Sequence, residues 1–298
     1  MRLDGERESE NVEDRRGGGG FRGGGGIPIG VAGGGLGTVA LVLLALFFGV
    51  DPRVILGGGG EEVAPQSQVT ENRGAPPAAP PAAQDDGARR FVAQVLATTE
   101  DAWSDIFRRA NRQYQPPNLV LFSGGTQSAC GFAQTAVGPF YCPNDRKVYL
   151  DTAFFRDMER KLGAPGEFAR AYVIAHEIGH HVQNQLGILG KIDRERRGMG
   201  EAESNALQVR IELQADCFAG IWANRTEQMR RILEPGDVES GIGAAAAVGD
   251  DRLQRRAQGY VVPESFTHGS SAQRVRWFRT GLESGDIQRC DTFGTDRL

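Results

Sequence analysis

Histidine is scarce in this sequence, four among 298 residues, and three of the four crowd together as His176, His180 and His181. Charge of one sign is lacking too: 38 acidic and 34 basic side chains leave a net charge of −4, with no long run of either sign. That balance excludes a protein that works by blanketing nucleic-acid phosphates, so no nucleic-acid partner is expected. The four cysteines, Cys130, Cys142, Cys217 and Cys290, show no C-x-x-C spacing, which leaves a cysteine zinc site without its usual signature. From Ile27 to Val50 charge is absent altogether.

Glycine, by contrast, is plentiful at 42 residues, and much of the excess lies before Gly60. Residues 1–26 are polar and glycine-rich, a composition that cannot build a core and predicts a disordered arm. The uncharged stretch 27–50 would be about 36 Å long as a helix, enough to cross a bilayer once. Its dense part, Val39 to Val50, has signal-peptide length, but no A-x-A-like site or lipid-attachment cysteine follows Phe48. An uncleaved signal anchor is therefore expected. Arg15, Arg16 and Arg22 before the span outnumber Arg53 just after it. The amino terminus is thus expected in the cytoplasm, and the remainder in the periplasm or outside the cell. Gly33 and Gly37 are spaced like a helix-dimer face, which would allow a homodimer through the span. Residues 51–87, rich in Gly, Pro and Ala, read as a tether. Residues 88–298 are then one globular domain, large enough for a real core.

Within that domain, Phe91, Val95, Trp103, Ile106, Phe107 and Ala110 recur at helical spacing up to Pro116-Pro117, which ends the helix. Asn118–Phe122 and Lys147–Asp151 read as strands, the second as an edge strand beside which an extended peptide could add. Cys130 and Cys142 bracket a hairpin or loop, and in an oxidising compartment a bridge between them would contribute about 3 kcal/mol. Four cysteines allow three pairings, and spacing does not decide the partner of Cys217 or Cys290. Later segments read as helix from Phe154 to Leu162, from Ser204 onward and from Ala272 to Leu282, with helix or loop between Gly236 and Tyr260. The fold class expected is α+β, mostly helical with a small mixed sheet.

The chemistry concentrates at His176-Glu177-Ile178-Gly179-His180. Positions four apart share one face of a helix, so His176 and His180 can aim two imidazoles at one ion. Zinc suits such a pair, because it takes neutral imidazole and keeps a position open for water in catalytic sites. Glu177, one residue on, is placed to take a proton from water attacking a carbonyl. His181 sits about 100° round the helix from His180 and reads as a packing or supporting residue. Farther on, Glu212 and Asp216 lie four apart in an otherwise apolar helix, where they need a positive partner. Glu212 is then the third ligand, and Asp216 accepts the free N–H of a ligand imidazole. His268 could donate to the developing oxyanion or could cap the following helix. Tyr149, Tyr172 and Tyr260 are lesser candidates for the oxyanion task.

These motifs occur together. His176 to Gln183, Glu212-Leu-Gln-Ala-Asp216 through Gly220, Thr267-His268-Gly-Ser-Ser271, the Ser123-Gly-Gly125 to Cys142-Pro143 region and Val148 to Asp151 resemble the bacterial family of neutral zinc metallopeptidases with one amino-terminal membrane span. The Glu-x-x-Ala-Asp arrangement also resembles that of CAAX prenyl proteases and other gluzincins. The resemblance implies a zincin-like fold with His176, His180 and Glu212 as Zn2+ ligands, Glu177 as base and Asp216 behind. It implies a membrane-anchored peptidase acting on peptides or proteins. Two rivals remain on sequence alone: a non-catalytic zinc scaffold, and an amide hydrolase acting on cell-wall peptides.

Overall fold

The computed structural model describes residues 1–16, 86–134 and 138–298. The expected span (27–50), the glycine-rich end of the arm and nearly all of the tether lie outside them. Among the described residues no helix is long and apolar enough to cross a bilayer.

A four-stranded mixed sheet carries the order β1-β2-β6-β5, from Val12–Asp14, Asn118–Phe122, Lys147–Asp151 and Phe140–Cys142. The first three strands run parallel, and β5 is antiparallel to β6. A separate antiparallel hairpin joins β3 (Gly125–Ser128) to β4 (Gly131–Gln134). Strand β6 is thus internal, with Val148 to Leu150 buried, and the edge expected there belongs to β5. Its charged ends mimic an edge, yet both its faces are covered.

The arm also needs correction. Residues 1–16 do not stand free: β1 pairs with β2, and Met1, Leu3 and Ser9 are buried. Polar composition misled here because those side chains find protein partners, with Arg7, Ser9 and Asn11 all bonded to Glu100.

Helix α1 (Asp86–Arg109) starts just inside the expected tether and buries Val92, Val95, Leu96, Trp103 and Phe107. It ends where Asn111 turns to φ 54. The short α2 (Ala153–Asp157) runs into one wide helical turn, Met158–Leu162. Then come α3 (Glu167–Gln185), α4 (Ile188–Arg196), α5 (Glu201–Arg230), α6 (Asp237–Ala247), α7 (Asp250–Gln258) and α8 (Ser271–Ser284). The segment Gly236–Tyr260, open between helix and loop in the sequence, is therefore two helices.

The core lies where α5 packs between α1, α3 and α8. Its middle is buried on all sides, Leu213, Ala215, Cys217, Phe218, Ala219, Ile221 and Trp222 among the residues, as suits a helix surrounded by others. Close approaches need small residues. A Cβ on Gly281 would meet the Cys217 carbonyl at 1.8 Å, and one on Gly220 the Phe278 carbonyl at 2.1 Å. Two disulfides reinforce this frame, Cys130–Cys142 beside the sheet and Cys217–Cys290 between α5 and the C-terminal segment.

Candidate metal centre

Helix α3 supplies His176, Glu177 and His180, and α5 crosses it at Gly179, where a Cβ would stand 2.9 Å from the Ala215 carbonyl oxygen. That missing side chain lets the two backbones close up. The residues around Ala215 on α5, Glu212 and Asp216, are thereby brought against the histidines.

The geometry is directional. Asp216 Oδ1 accepts from His176 Nδ1 at 2.9 Å, and Gln183 Oε1 accepts from His180 Nδ1 at 2.9 Å. Each ring thus spends its Nδ1–H on an outer partner, so that in the neutral ring the lone pair falls on Nε2. Both Nε2 atoms face one carboxylate: His176 Nε2 is 3.2 Å from Glu212 Oε2, and His180 Nε2 is 3.6 Å from Glu212 Oε1. One donor atom from each of the three residues lies within 4.8 Å of the others. Lone pairs so aimed at a carboxylate repel unless a cation stands between them. The set of two imidazoles and one carboxylate therefore fits zinc, with room for a further ligand.

Electrostatics point the same way. Burial works against the charged ring of His176, but Asp216 and Glu212 outweigh it and hold its pKa at about 9. Burial likewise opposes ionisation of Glu212, yet His180 and His176 keep it well below the usual carboxylate range. A proton can thus do part of a metal's work in the metal-free protein, and metal loading must expel it. Glu177 stands apart: burial raises it, only partly offset by the two histidines.

Behind the ligands sits a group of residues that the sequence left unassigned, joined by Tyr172, an oxyanion candidate on sequence whose hydroxyl is engaged here instead. Arg274, from the first turn of α8, donates to Asp216 through Nε to Oδ2 at 2.8 Å and Nη2 to Oδ1 at 2.9 Å. The Tyr172 hydroxyl donates to Asp216 as well and accepts from Arg274. Gln208 donates to Glu212 Oε1 at 2.9 Å. Gln183 donates to the Ile211 carbonyl and to Gln214, which settles which end of its amide faces His180. All but Gln183 and Gln214 line the cavity described below. Charge counting calls for one more cation here, since Glu177, Glu212 and Asp216 together exceed the charge of one dication, but it does not say which residue supplies it.

His268 lies on the loop before α8, held by Asp250. That carboxylate accepts the backbone N–H groups of Thr267, His268 and Gly269 at 2.6 to 3.0 Å, and His268 Nδ1 at 3.2 Å. The helix-capping alternative belongs instead to Ser270, which forms a capping box with Gln273. Of the other tyrosines, Tyr149 donates to Asp145 away from the centre, and Tyr260 is exposed. His181 points the other way on α3, between the Tyr141 hydroxyl and the Gln115 carbonyl.

A cavity of about 500 Å3 opens over the centre and is lined by His176, Glu177, His180, Glu212, His268 and Arg274. On one side Phe154, Leu162, Val173, Val248 and Leu253 make an apolar wall; on another stand the β3–β4 hairpin and β5. The Cys130–Cys142 bridge ties these last two together. Leu189 and Asp193 of α4 also line it.

Comparison with known proteins agrees with this centre. A family model described as "Putative neutral zinc metallopeptidase" matches residues 1–293. The chain is 48% identical over 296 residues to "Uncharacterized protein YpfJ" of Escherichia coli strain K12, covering 99% of each. It is 43% identical over 221 residues to "Uncharacterized protein Rv2575" of Mycobacterium tuberculosis, covering 71% of this chain and 74% of that one. No solved structure matches significantly. With nearly the whole chain inside the family model and three histidine and carboxylate donors converging as a zinc site requires, the protein belongs to the neutral zinc metallopeptidase family.

Proposed function

We propose that the protein is a zinc-dependent peptidase that hydrolyses peptide bonds in the cavity above His176, His180 and Glu212. These three residues would hold the ion. When bound, zinc supplies Lewis acidity, polarising a carbonyl and acidifying water. Glu177, kept basic enough by burial, takes the proton of the attacking water and hands it to the departing amine. His268 donates from Nε2 to the oxyanion, because Asp250 occupies its Nδ1. Burial opposes its protonation while Asp250 favours it, and the balance is a raised pKa, which suits a donor. Asp216, Arg274 and Gln183 keep the ligand rings aimed.

An extended peptide would lie beside β5, the sheet-edge strand that lines the cavity, adding main-chain hydrogen bonds as another strand. The apolar wall of Phe154, Leu162 and Val173 would receive an apolar side chain.

The observation that carries this reading is the convergence of both Nε2 atoms on Glu212 with Glu177 in the same cavity. Its test is Glu177→Gln, assayed for zinc content and for digestion of a peptide library. The wild type should cleave and the variant should keep stoichiometric zinc yet cleave nothing. A variant that cleaves normally refutes the base, and a zinc-loaded wild type inert on the library favours a scaffold.

A further inference from the structure

The first residues of the chain are built into the metal-bearing domain. Glu100, on α1, is 5% exposed, and among the described residues the side chains bonded to its carboxylate come from the arm. Ser9 Oγ donates at 2.5 Å, Asn11 Nδ2 at 2.8 Å and Arg7 Nη2 at 2.8 Å. Without the arm this carboxylate loses every one of those donors, which in a buried position is strongly unfavourable. The backbone is joined as well. Leu119 N–H donates to the Asn11 carbonyl and Arg15 N–H to the Leu121 carbonyl, each at 2.8 Å, so β1 covers what would otherwise be a bare parallel edge of β2. Leu3 enters the main hydrophobic core. Arg230 of α5 bonds Glu6, and Lys147 of β6 bonds Glu13 at 2.8 Å.

This surface bears on membrane topology. A segment that crosses a bilayer once leaves its two ends in different compartments, and a docked arm does not permit that. The uncharged run Ile27–Val50 has 24 residues, enough for one crossing at roughly 20 residues each but not for two. Two of the three arginines that would orient a single crossing are also engaged: Arg15 bonds Glu13 and Thr126, and Arg16 bonds Asp14. We infer that residues 1–16 and the metal-bearing domain lie on the same side of the membrane as one folded unit. This replaces the topology of a cytoplasmic arm and an exported domain.

The full-length protein in its own membranes provides the test. A water-soluble carbodiimide condenses neighbouring amines and carboxylates into amides, and Lys147 Nζ with Glu13 Oε2 is such a pair, as is Lys161 Nζ with Asp157 Oδ2 at 3.2 Å. The expected result is a monomer-sized product in which mass spectrometry finds the 13–147 linkage alongside the 157–161 linkage. The local linkage without the 13–147 linkage overturns the inference, and so does a 13–147 linkage found only in dimer-sized product. A second measurement places one new thiol on each side of the uncharged run, Gly19→Cys and Ser67→Cys separately, and applies an impermeant maleimide to sealed vesicles of each orientation. Both thiols should react in the same orientation. Reaction in opposite orientations restores the single crossing and sinks the inference; if neither thiol reacts, the crosslink alone decides.

Discussion

Arg274 grips both oxygens of Asp216, with Nε to Oδ2 at 2.8 Å and Nη2 to Oδ1 at 2.9 Å. Both residues are almost fully buried. The pair sits directly behind His176, whose Nδ1 is 2.9 Å from Asp216 Oδ1. Burial alone would drive Asp216 toward its neutral acid, but Arg274 and His176 reverse that and keep its pKa below the ordinary carboxylate value. A charged Asp216 is what fixes the His176 tautomer with its Nε2 lone pair toward Glu212.

Arg274→Met therefore strands a buried carboxylate. The expected loss is about 3–5 kcal/mol of stability, the usual result of breaking a buried pair from one side. Zinc affinity should fall about 10- to 100-fold, as with other losses behind a ligand. Arg274→Lys keeps the charge but cannot fork, and should lie between. Thermal unfolding and chelator competition read the two effects, and unchanged zinc affinity in Arg274→Met would show that Asp216 does not depend on its partner.

Among the described residues Glu212 is the carboxylate that faces both imidazoles, so Glu212→Ala should leave a site of two nitrogens and lose zinc. Metal analysis of the purified variant checks this. Stoichiometric zinc would move the third ligand elsewhere, with Asp216 and His268 next in line.

Much of this arrangement was legible in the sequence, for reasons tied to particular residues. A four-residue period puts His176 with His180 and Glu212 with Asp216 whatever the surroundings, so helix geometry carries those pairs. Arg274 was not legible, because its meaning depends on a crossing between α8 and α5 that is set by Gly220 and Gly281. Lys147–Asp151 read as an edge because its charged flanks are local signals, while its neighbours β2 and β5 are settled by tertiary packing. The arm misled in the same way. Polar residues such as Ser9 and Asn11 carry no mark to show that a buried Glu100 awaits them far along the chain.

Gly179 stands at a close approach of α3 and α5, and its role gives a further prediction. Gly179→Ala places a methyl 2.9 Å from the Ala215 carbonyl and 3.1 Å from its Cα, both backbone atoms that cannot swing aside. The helices must part by a few tenths of an ångström, at a cost of about 1–3 kcal/mol. Glu212 and Asp216 move with α5, so zinc affinity should drop along with the unfolding temperature. A variant that loses stability yet binds zinc as the wild type does would show that the ligands tolerate the shift.

The last prediction concerns acid. His181 is buried between the Tyr141 hydroxyl, 3.1 Å from its Nδ1, and the Gln115 carbonyl, 2.7 Å from its Nε2. Burial lowers its pKa from 6.5 to about 4, with the bond to Gln115 opposing and the charge of Arg146 assisting. The folded protein thus holds His181 neutral while the unfolded chain takes up a proton below pH 6.5. The stabilising contribution is full above that value and disappears as pH falls toward about 4. At about 1.4 kcal/mol per unit the whole effect is on the order of 3 kcal/mol. Denaturant unfolding of chelator-treated protein at pH 7 and pH 4.5, compared with His181→Gln, isolates it. The wild type should lose more stability than the variant over that interval, and equal losses would show that His181 is not held neutral.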